Sequence, residues 1–328
     1  MTMRTALITG IQGQDGSLLA EFLLNQGYRV VGTVKPGSEQ HGKWRVPSTP
    51  ELRVIEWNLQ DDAGFQRAIS EHKPQEIYNL AARASSRHLF SDPVLTGDCN
   101  GLAVTRILEA IRLIDSSIRM CQASSSELFG NTKQSPQSER TPFQPRNPYG
   151  VAKRYAHEMV QLYRNTFGIF ACSAILFNHE SSRRTMDFVT RKISVGAARI
   201  ALGLQEYLEL DSLDAARDWG YAGDYVRAMW LMLQANHADD YVVSTGEIHT
   251  VGEFCEVAFA RVGLDYRKYV KISAKVDRPQ ESVRLVGDPT KIRSILNWTS
   301  LVSFVELVNI MVDADLAKLS GDTASAVR

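Results

Sequence analysis

Near its start the chain reads Thr9-Gly10-Ile11-Gln12-Gly13-Gln14-Asp15-Gly16, with three glycines spaced G-x-x-G-x-x-G. They stand between an apolar run, Thr5-Ala6-Leu7-Ile8-Thr9, and a stretch from Ser17 to Gln26 where Leu18/Phe22 and Leu19/Leu23 pair at helical spacing. Glycines between a strand and a helix permit a tight turn and close backbone approach, so a pyrophosphate can rest on the helix N-terminus. A plain glycine turn would have the same composition. The position directly after a first strand and opening a helix favours a dinucleotide site.

The alternation then repeats. Gly27 ends the first helix, Tyr28 to Val34 reads as a strand, and Leu52 to Trp57 as another before a helix that begins near Asp61. Glu76 to Leu80 is a strand followed by a long helix through Val104 to Leu113; Met120-Cys121 and Ile169 to Phe177 continue the series, and Tyr241 to Ser244 returns to the sheet. Short strands alternating with helices require crossover connections. The expectation is an α/β fold with a Rossmann-type doubly wound parallel sheet and a smaller C-terminal substrate-binding domain. The boundaries are 1–177 plus about 218–246 for the first domain, 178–217 and 247–318 for the second, and a tail at 319–328.

Lys+Arg and Asp+Glu both total 37 in 328 residues, so no global field points to nucleic acid or an anionic membrane. No apolar run approaches the roughly 18 residues that cross a bilayer. The opening Met1-Thr2-Met3-Arg4 leads straight to a strand without the apolar core of a leader peptide, and a cytoplasmic location is expected. Cys99, Cys121, Cys172 and Cys255 are far apart, which predicts buried free thiols rather than disulfides or a metal site.

Cofactor choice rests on the second strand, which ends Thr33-Val34-Lys35 with no carboxylate before Glu39. An acid there would select a ribose 2′-hydroxyl. Lys35, aided by Lys43 or Arg45, suits a 2′-phosphate, unless these are solvated loop cations; the expectation is NADP. Further on, Tyr149 and Lys153 lie four apart just after Pro148, a residue suited to a first helical turn. An ammonium beside a phenol lowers its pKa and makes a base for a hydroxyl proton. Ser125 precedes the pair at the end of a sheet strand, on the edge where such folds bind ligands.

The strings "ALITGIQGQDGSLLAEFLL", "EIYNLAA", "QASSSELFG", "NPYGVAKRYAHEMV", "ILFNHES", "FVTRKI", "RDWGYAGDYVRAMWLMLQ", "RPQE" and "GDPTK" resemble the GDP-mannose 4,6-dehydratase family. That family belongs to the extended short-chain dehydrogenase/reductase superfamily, and the likeness runs from about residue 4 to 318. It implies a catalytic set of Ser125, Glu127, Tyr149 and Lys153, with Ser125 where the family usually has threonine. The chemistry it implies is C4 oxidation by Tyr149 and NADP, C5 deprotonation by Glu127, loss of water from C6 and hydride return to C6.

By the same resemblance Gly10, Gly13, Gln14, Asp15 and Gly16 contact the cofactor, as do Lys35, Asn58, Leu59, Leu80, Ala81 and Ala82. His179 stands on the cofactor side, as a structural histidine of the "NHES" turn rather than an acid or base. Asn178, Lys192, Arg217, Arg278 and Glu281 gather around GDP, the cations neutralising the diphosphate. Arg83, Ser85 and Val189 complete the substrate set.

Three departures stand out. The family's "NLAAQS" is Asn79-Leu80-Ala81-Ala82-Arg83-Ala84, its "HESPRRG" is His179 to Thr185 with Ser182 for proline, and its double arginine is Lys35-Pro36. The altered sugar pocket admits GDP-D-glycero-D-manno-heptose as an alternative substrate. An epimerase or reductase would share the fold and the Tyr/Lys pair but would have no need of Glu127. The resemblance also implies a homodimer or homotetramer.

Overall fold

The apolar runs become strands because each alternates its side chains between two buried faces. In β1 (Thr5–Thr9) Ala6 and Ile8 pack into one core and Leu7 into another. The structure is a computed structural model that describes residues 3–38, 46, 48–84, 90, 92–273 and 284–321. After β1 come α1 (Gln14–Asn25), β2 (Arg29–Val34), β3 (Leu52–Glu56), α2 (Asp62–His72) and β4 (Glu76–Asn79). Then follow α3 (Pro93–Gly97), α4 (Ala103–Ile114), β5 (Arg119–Ala123), α5 (Pro148–Phe167), β6 (Ala171–Leu176) and β7 (Asn178–Glu180). The remainder is α6 (Val189–Ala201), β8 (Leu208–Leu210), β9 (Ala216–Arg217), β10 (Trp219–Tyr221), α7 (Ala222–Gln234) and β11 (Tyr241–Val243). It ends with β12 (His249–Thr250), α8 (Val251–Arg261), β13 (Val270–Ile272), α9 (Thr290–Leu296) and α10 (Phe304–Ser320).

Seven strands form one parallel sheet in the order β11-β6-β5-β4-β1-β2-β3. The chain runs outward one way from β1 to β3 and the other way from β4, so the order reverses between β1 and β4. In sheets of this kind ligands bind beyond the carboxyl ends at that reversal. Tyr241 pairs with Ala174, so the last strand does return to the main sheet.

One sheet face packs against α1 and α7 through Leu19, Leu23, Met229, Met232 and Leu233. The other packs against α2, α4 and α5 through Phe65, Ile107, Leu108, Ile111 and Val160. Fully burying a side chain of this size contributes about 1.5–3 kcal/mol. A third core joins α6, α8 and α10 around Trp219, and Arg191 of α6 meets Asp315 of α10 at 2.6 Å inside it. Arg191 is therefore a buried strut.

Two boundaries differ from expectation for local reasons. Helix α1 starts at Gln14 rather than Ser17, because Gly13 is already its N-cap. The helix expected through Val104 to Leu113 is preceded by α3, capped by Asp92, and a π-helical turn at Asp98–Leu102. Asn100 in that turn accepts from Arg83 N at 2.9 Å and donates to Arg83 O at 3.2 Å, clamping the chain just after β4.

Three of the four cysteines are buried and Cys99 is only partly so, all as free thiols. Among the described residues no helix is long and apolar enough to cross a membrane, and no cluster of side chains could hold a metal ion.

Candidate active site

The glycine turn leaves β1 and is pressed against the residues that follow β4. Gly10 has φ 72, and a Cβ there would stand 2.9 Å from the Ala81 Cα. A Cβ on Gly16 would come 2.4 Å from the Gly10 carbonyl oxygen and one on Gly13 3.2 Å from the same atom. Only glycine fits the first and last of these positions. The Thr9 hydroxyl completes the junction by accepting from the Leu80 and Ala81 amides, each at 3.0 Å. No side chain caps α1, so the donors of its first turn suit a pyrophosphate.

Gln14 and Asp15 turn their side chains the other way, toward β7. Gln14 donates to the His179 carbonyl at 3.0 Å and accepts from Ser181 Oγ at 2.8 Å. Asp15 meets His179 Nε2 at 2.9 Å, and Nδ1 of that ring faces the Phe177 carbonyl at 2.7 Å. Burial opposes both charges, yet the pair wins: His179 is raised and Asp15 is lowered from their ordinary values. His179 also stacks on Tyr225 at 4.7 Å, so it ties the turn to the start of α7 as a structural histidine.

At the neighbouring edge β5 ends at Ala123, and Ser125 is extended, its Oγ accepting from Glu127 N at 3.2 Å to open a 3-10 turn over Ser126–Leu128. Opposite, Asn147 caps α5 and Pro148 occupies its first turn, which sets Tyr149 and Lys153 on one face. The Ser125 side chain lies near enough to the Tyr149 phenol to favour its ionised form. Glu127 Oε2 accepts from Asn147 Nδ2 at 2.8 Å.

Lys153 lies beside Tyr149, as the spacing predicts, and also takes a backbone acceptor. Its ammonium is buried and donates to the Ala123 carbonyl at 2.7 Å, with the Tyr149 ring centroid 5.7 Å away. A buried ammonium needs an acceptor, and that carbonyl supplies it. Burial takes Lys153 down to about 8. Burial likewise pushes Tyr149 up to about 12, with the Ser125 hydrogen bond and the Arg184 charge opposing it and the charges of Glu127 and Asp15 adding to it. The protein by itself therefore holds the phenol protonated.

A buried ladder of side chains joins the two edges. Thr9 Oγ1 donates to Asn79 at 2.6 Å, Asn79 to Gln122 at 2.7 Å, and Gln122 to the same Ala123 carbonyl at 2.7 Å.

Other candidates are more dispersed. Lys35 is exposed just after β2, and its charge, with those of Arg83 and Arg106, is felt at the Cys99 thiol, which burial and Asp98 raise. Asn58 and Leu59 follow β3, with the Leu59 carbonyl taking Arg106 at 3.3 Å. Asn178 opens β7, Val189 and Lys192 lie in the first turn of α6, and Arg217 lies on β9, bonded to its neighbour's carbonyl at 2.7 Å. Ala82 is exposed beyond β4. Ser85, Arg278 and Glu281, like Lys43 and Arg45, lie outside the described residues.

Two residues were not singled out beforehand. Arg184 lies close enough to Asp15 and Tyr149 to lower both, and its guanidinium sits 3.4 Å from the Phe188 ring centroid. Its only signal was the Arg-rich run after β7. Asn147 was legible as a helix cap before a proline, but its bond to Glu127 was not.

The family model described as GDP-mannose 4,6 dehydratase matches residues 7–311. GDP-mannose 4,6 dehydratase 2 of Arabidopsis thaliana is 46% identical over 325 residues, covering 95% of this chain and 87% of the relative. The Homo sapiens GDP-mannose 4,6 dehydratase is 43% identical, covering 95% and 91%. Among solved structures, a Thermus thermophilus UDP-glucose 4-epimerase complexed with NAD superposes with a TM-score of 0.81 at 26% identity, covering 94% and 98%. A dTDP-glucose 4,6-dehydratase of Bacillus anthracis in complex with NAD gives 0.82 at 18%, covering 98% of each chain, a likeness of fold alone. Glycine cradle, acid-bearing turn and Tyr/Lys helix thus sit in one chain whose matches run nearly end to end, and the chain belongs to the GDP-mannose 4,6-dehydratase family.

Proposed function

We propose that this protein removes water from GDP-D-mannose, giving GDP-4-keto-6-deoxy-D-mannose, with the acid–base steps carried by Tyr149, Ser125 and Glu127. The observation that carries the reading is the short turn after β5, which sets Glu127 against the cap of the helix bearing Tyr149 and Lys153, its Oε2 accepting from Asn147 Nδ2 at 2.8 Å. A C4 epimerase or reductase would need the phenol and lysine but no carboxylate for C5.

When bound, an oxidised nicotinamide cofactor supplies the hydride acceptor for C4, the same hydride for C6, and a positive charge that favours the Tyr149 phenolate. Tyr149 takes the C4 hydroxyl proton, with Ser125 as hydrogen-bonded relay, while C4 gives up hydride and becomes a ketone. The ketone acidifies C5–H, and Glu127 takes that proton. The same carboxyl hands it to the C6 oxygen as the C6–O bond breaks and water leaves. Hydride is returned at C6 and the proton held by Tyr149 at C5, so the net change is one water lost.

Gly10, Gly13 and Gly16 would hold the pyrophosphate of the cofactor. NADP is favoured over NAD because Lys35 stands where an acid would otherwise select the 2′-hydroxyl, with Arg83 contributing charge to the same neighbourhood. For the GDP moiety the same proposal assigns Asn178, Lys192, Arg217, Arg278 and Glu281. A homodimer or homotetramer is supported by an open groove of about 720 Å³ between α3 and α5. Its lining includes Val94, Leu102, Val151 and Tyr155, which are 83%, 47%, 55% and 39% exposed.

GDP-D-glycero-D-manno-heptose is the second reading, favoured by one observation. Arg83 replaces the family's glutamine, and its Nε is buried with no hydrogen-bond partner among the described residues. Turnover of each GDP-sugar with NADP, followed by mass spectrometry, tests both. The expected result is an 18-Da loss (one water) from the mannose substrate; loss from neither rejects the dehydratase reading.

A further inference from the structure

We propose that Asn147 is the positioning residue for Glu127, one side-chain amide serving both halves of the acid–base machinery. The inference rests on the role proposed above for Glu127.

The amide has two working ends. Its Oδ1 accepts from Gly150 N at 2.8 Å and so caps the helix that carries Tyr149 and Lys153. Its Nδ2 donates to Glu127 Oε2 at 2.8 Å. Asn147 is only 7% exposed, so neither bond is readily exchanged for water. A carboxylate held at one oxygen keeps its plane fixed, and the direction in which Oε1 presents its lone pairs follows. The helix cap is thereby the reference point from which both the phenol and the carboxylate are aimed.

The backbone around the amide leaves it no slack. A Cβ on Gly150 would stand 2.7 Å from the Glu127 carbonyl oxygen, so the first turn of α5 lies directly on the acid-bearing turn. On the far side Gly130 has φ 49, and a Cβ there would meet the Gln144 carbonyl at 2.0 Å. Gln144 N donates to Leu128 O at 2.9 Å and Asn131 N to Gln144 O at 3.0 Å. The segments before and after Asn147 are thus stitched to the turn that carries Glu127.

A residue that only capped the helix would be replaceable by any good N-cap. Ser and Asp are such caps, whereas neither offers a neutral amide donor to a carboxylate. The test is single-turnover kinetics of Asn147→Ser and Asn147→Asp, following reduced cofactor by absorbance and dehydrated product by mass spectrometry. Both variants are expected to melt close to the parent and to oxidise C4. Loss of a hydrogen bond to a charged group predicts product formation slower by about 10- to 100-fold, with reduced cofactor accumulating. In Asn147→Asp a second carboxyl beside Glu127 is expected to move the acid limb of the rate profile to higher pH.

The proposal is overturned if Asn147→Ser makes product at the parental rate, or if oxidation and elimination fall in equal proportion. Glu127→Gln, assayed beside it, separates the two levels. If that variant dehydrates normally the role of Glu127 fails; if it does not, while Asn147→Ser does, only the present inference fails.

Discussion

The cofactor edge and the acid–base edge of this site are built on opposite principles. At the first, between β1 and β4, the working feature is the absence of side chains: Gly10 and Gly16 have no room for a Cβ, and the amides of α1 are left uncapped. At the second, between β5 and α5, the working feature is buried and half-buried polarity, with Lys153 on a carbonyl, Glu127 on Asn147 and Tyr149 beside Ser125. Steric rules govern the first edge and desolvation the second. Backbone cradles are hard to mutate but chemically inert; buried titratable groups tolerate shape changes but not changes of charge or donor.

That contrast can be broken most forcefully at Tyr149. Tyr149→Phe keeps shape and removes only the proton carrier, so kcat should fall by about 10²–10⁴-fold while cofactor affinity, measured by fluorescence titration, stays near the parental value. Gly16→Ala should do the reverse. Its Cβ would sit 2.4 Å from a backbone oxygen, so relief requires the turn to move, at about 1–3 kcal/mol of stability and with weakened cofactor binding, while GDP binding by calorimetry is retained.

The smallest effect belongs to the strut that couples the turn to β7. His179 is raised from 6.5, so its contribution to stability is complete below that value and fades as pH rises through the folded pKa. Asp15 is lowered from 3.8, so its contribution is complete above that value and fades as pH falls through the folded pKa. His179→Gln should therefore cost about 1–2 kcal/mol, most between those two values, and the deficit in denaturant melts should shrink at alkaline pH.

Much of this was visible in the residues. Apolar runs alternating with helical spacing foretold the parallel sheet and the return of β11. The spacing of Tyr149 and Lys153 put them on one face of α5, and the resemblance added Ser125 and Glu127 after β5 as their proposed companions. What the residues do with one another was less visible. Helical spacing put Lys153 beside Tyr149; that its buried ammonium also takes the Ala123 carbonyl depends on the packing of α5 against β5. The ladder from Thr9 through Asn79 and Gln122 depends on the register of parallel strands whose residues lie far apart in sequence. Gln14 and Asp15, placed beside the cofactor by resemblance, also direct their side chains to His179 of β7, which runs beside the turn.

The account turns on Glu127 as the group that makes this site eliminate water rather than merely oxidise and reduce. Glu127→Gln keeps the size of the side chain and removes the base. Incubated with GDP-D-mannose and NADP, it should form some reduced cofactor but no 4-keto-6-deoxy product by mass spectrometry. Product at the parental rate would contradict the central claim.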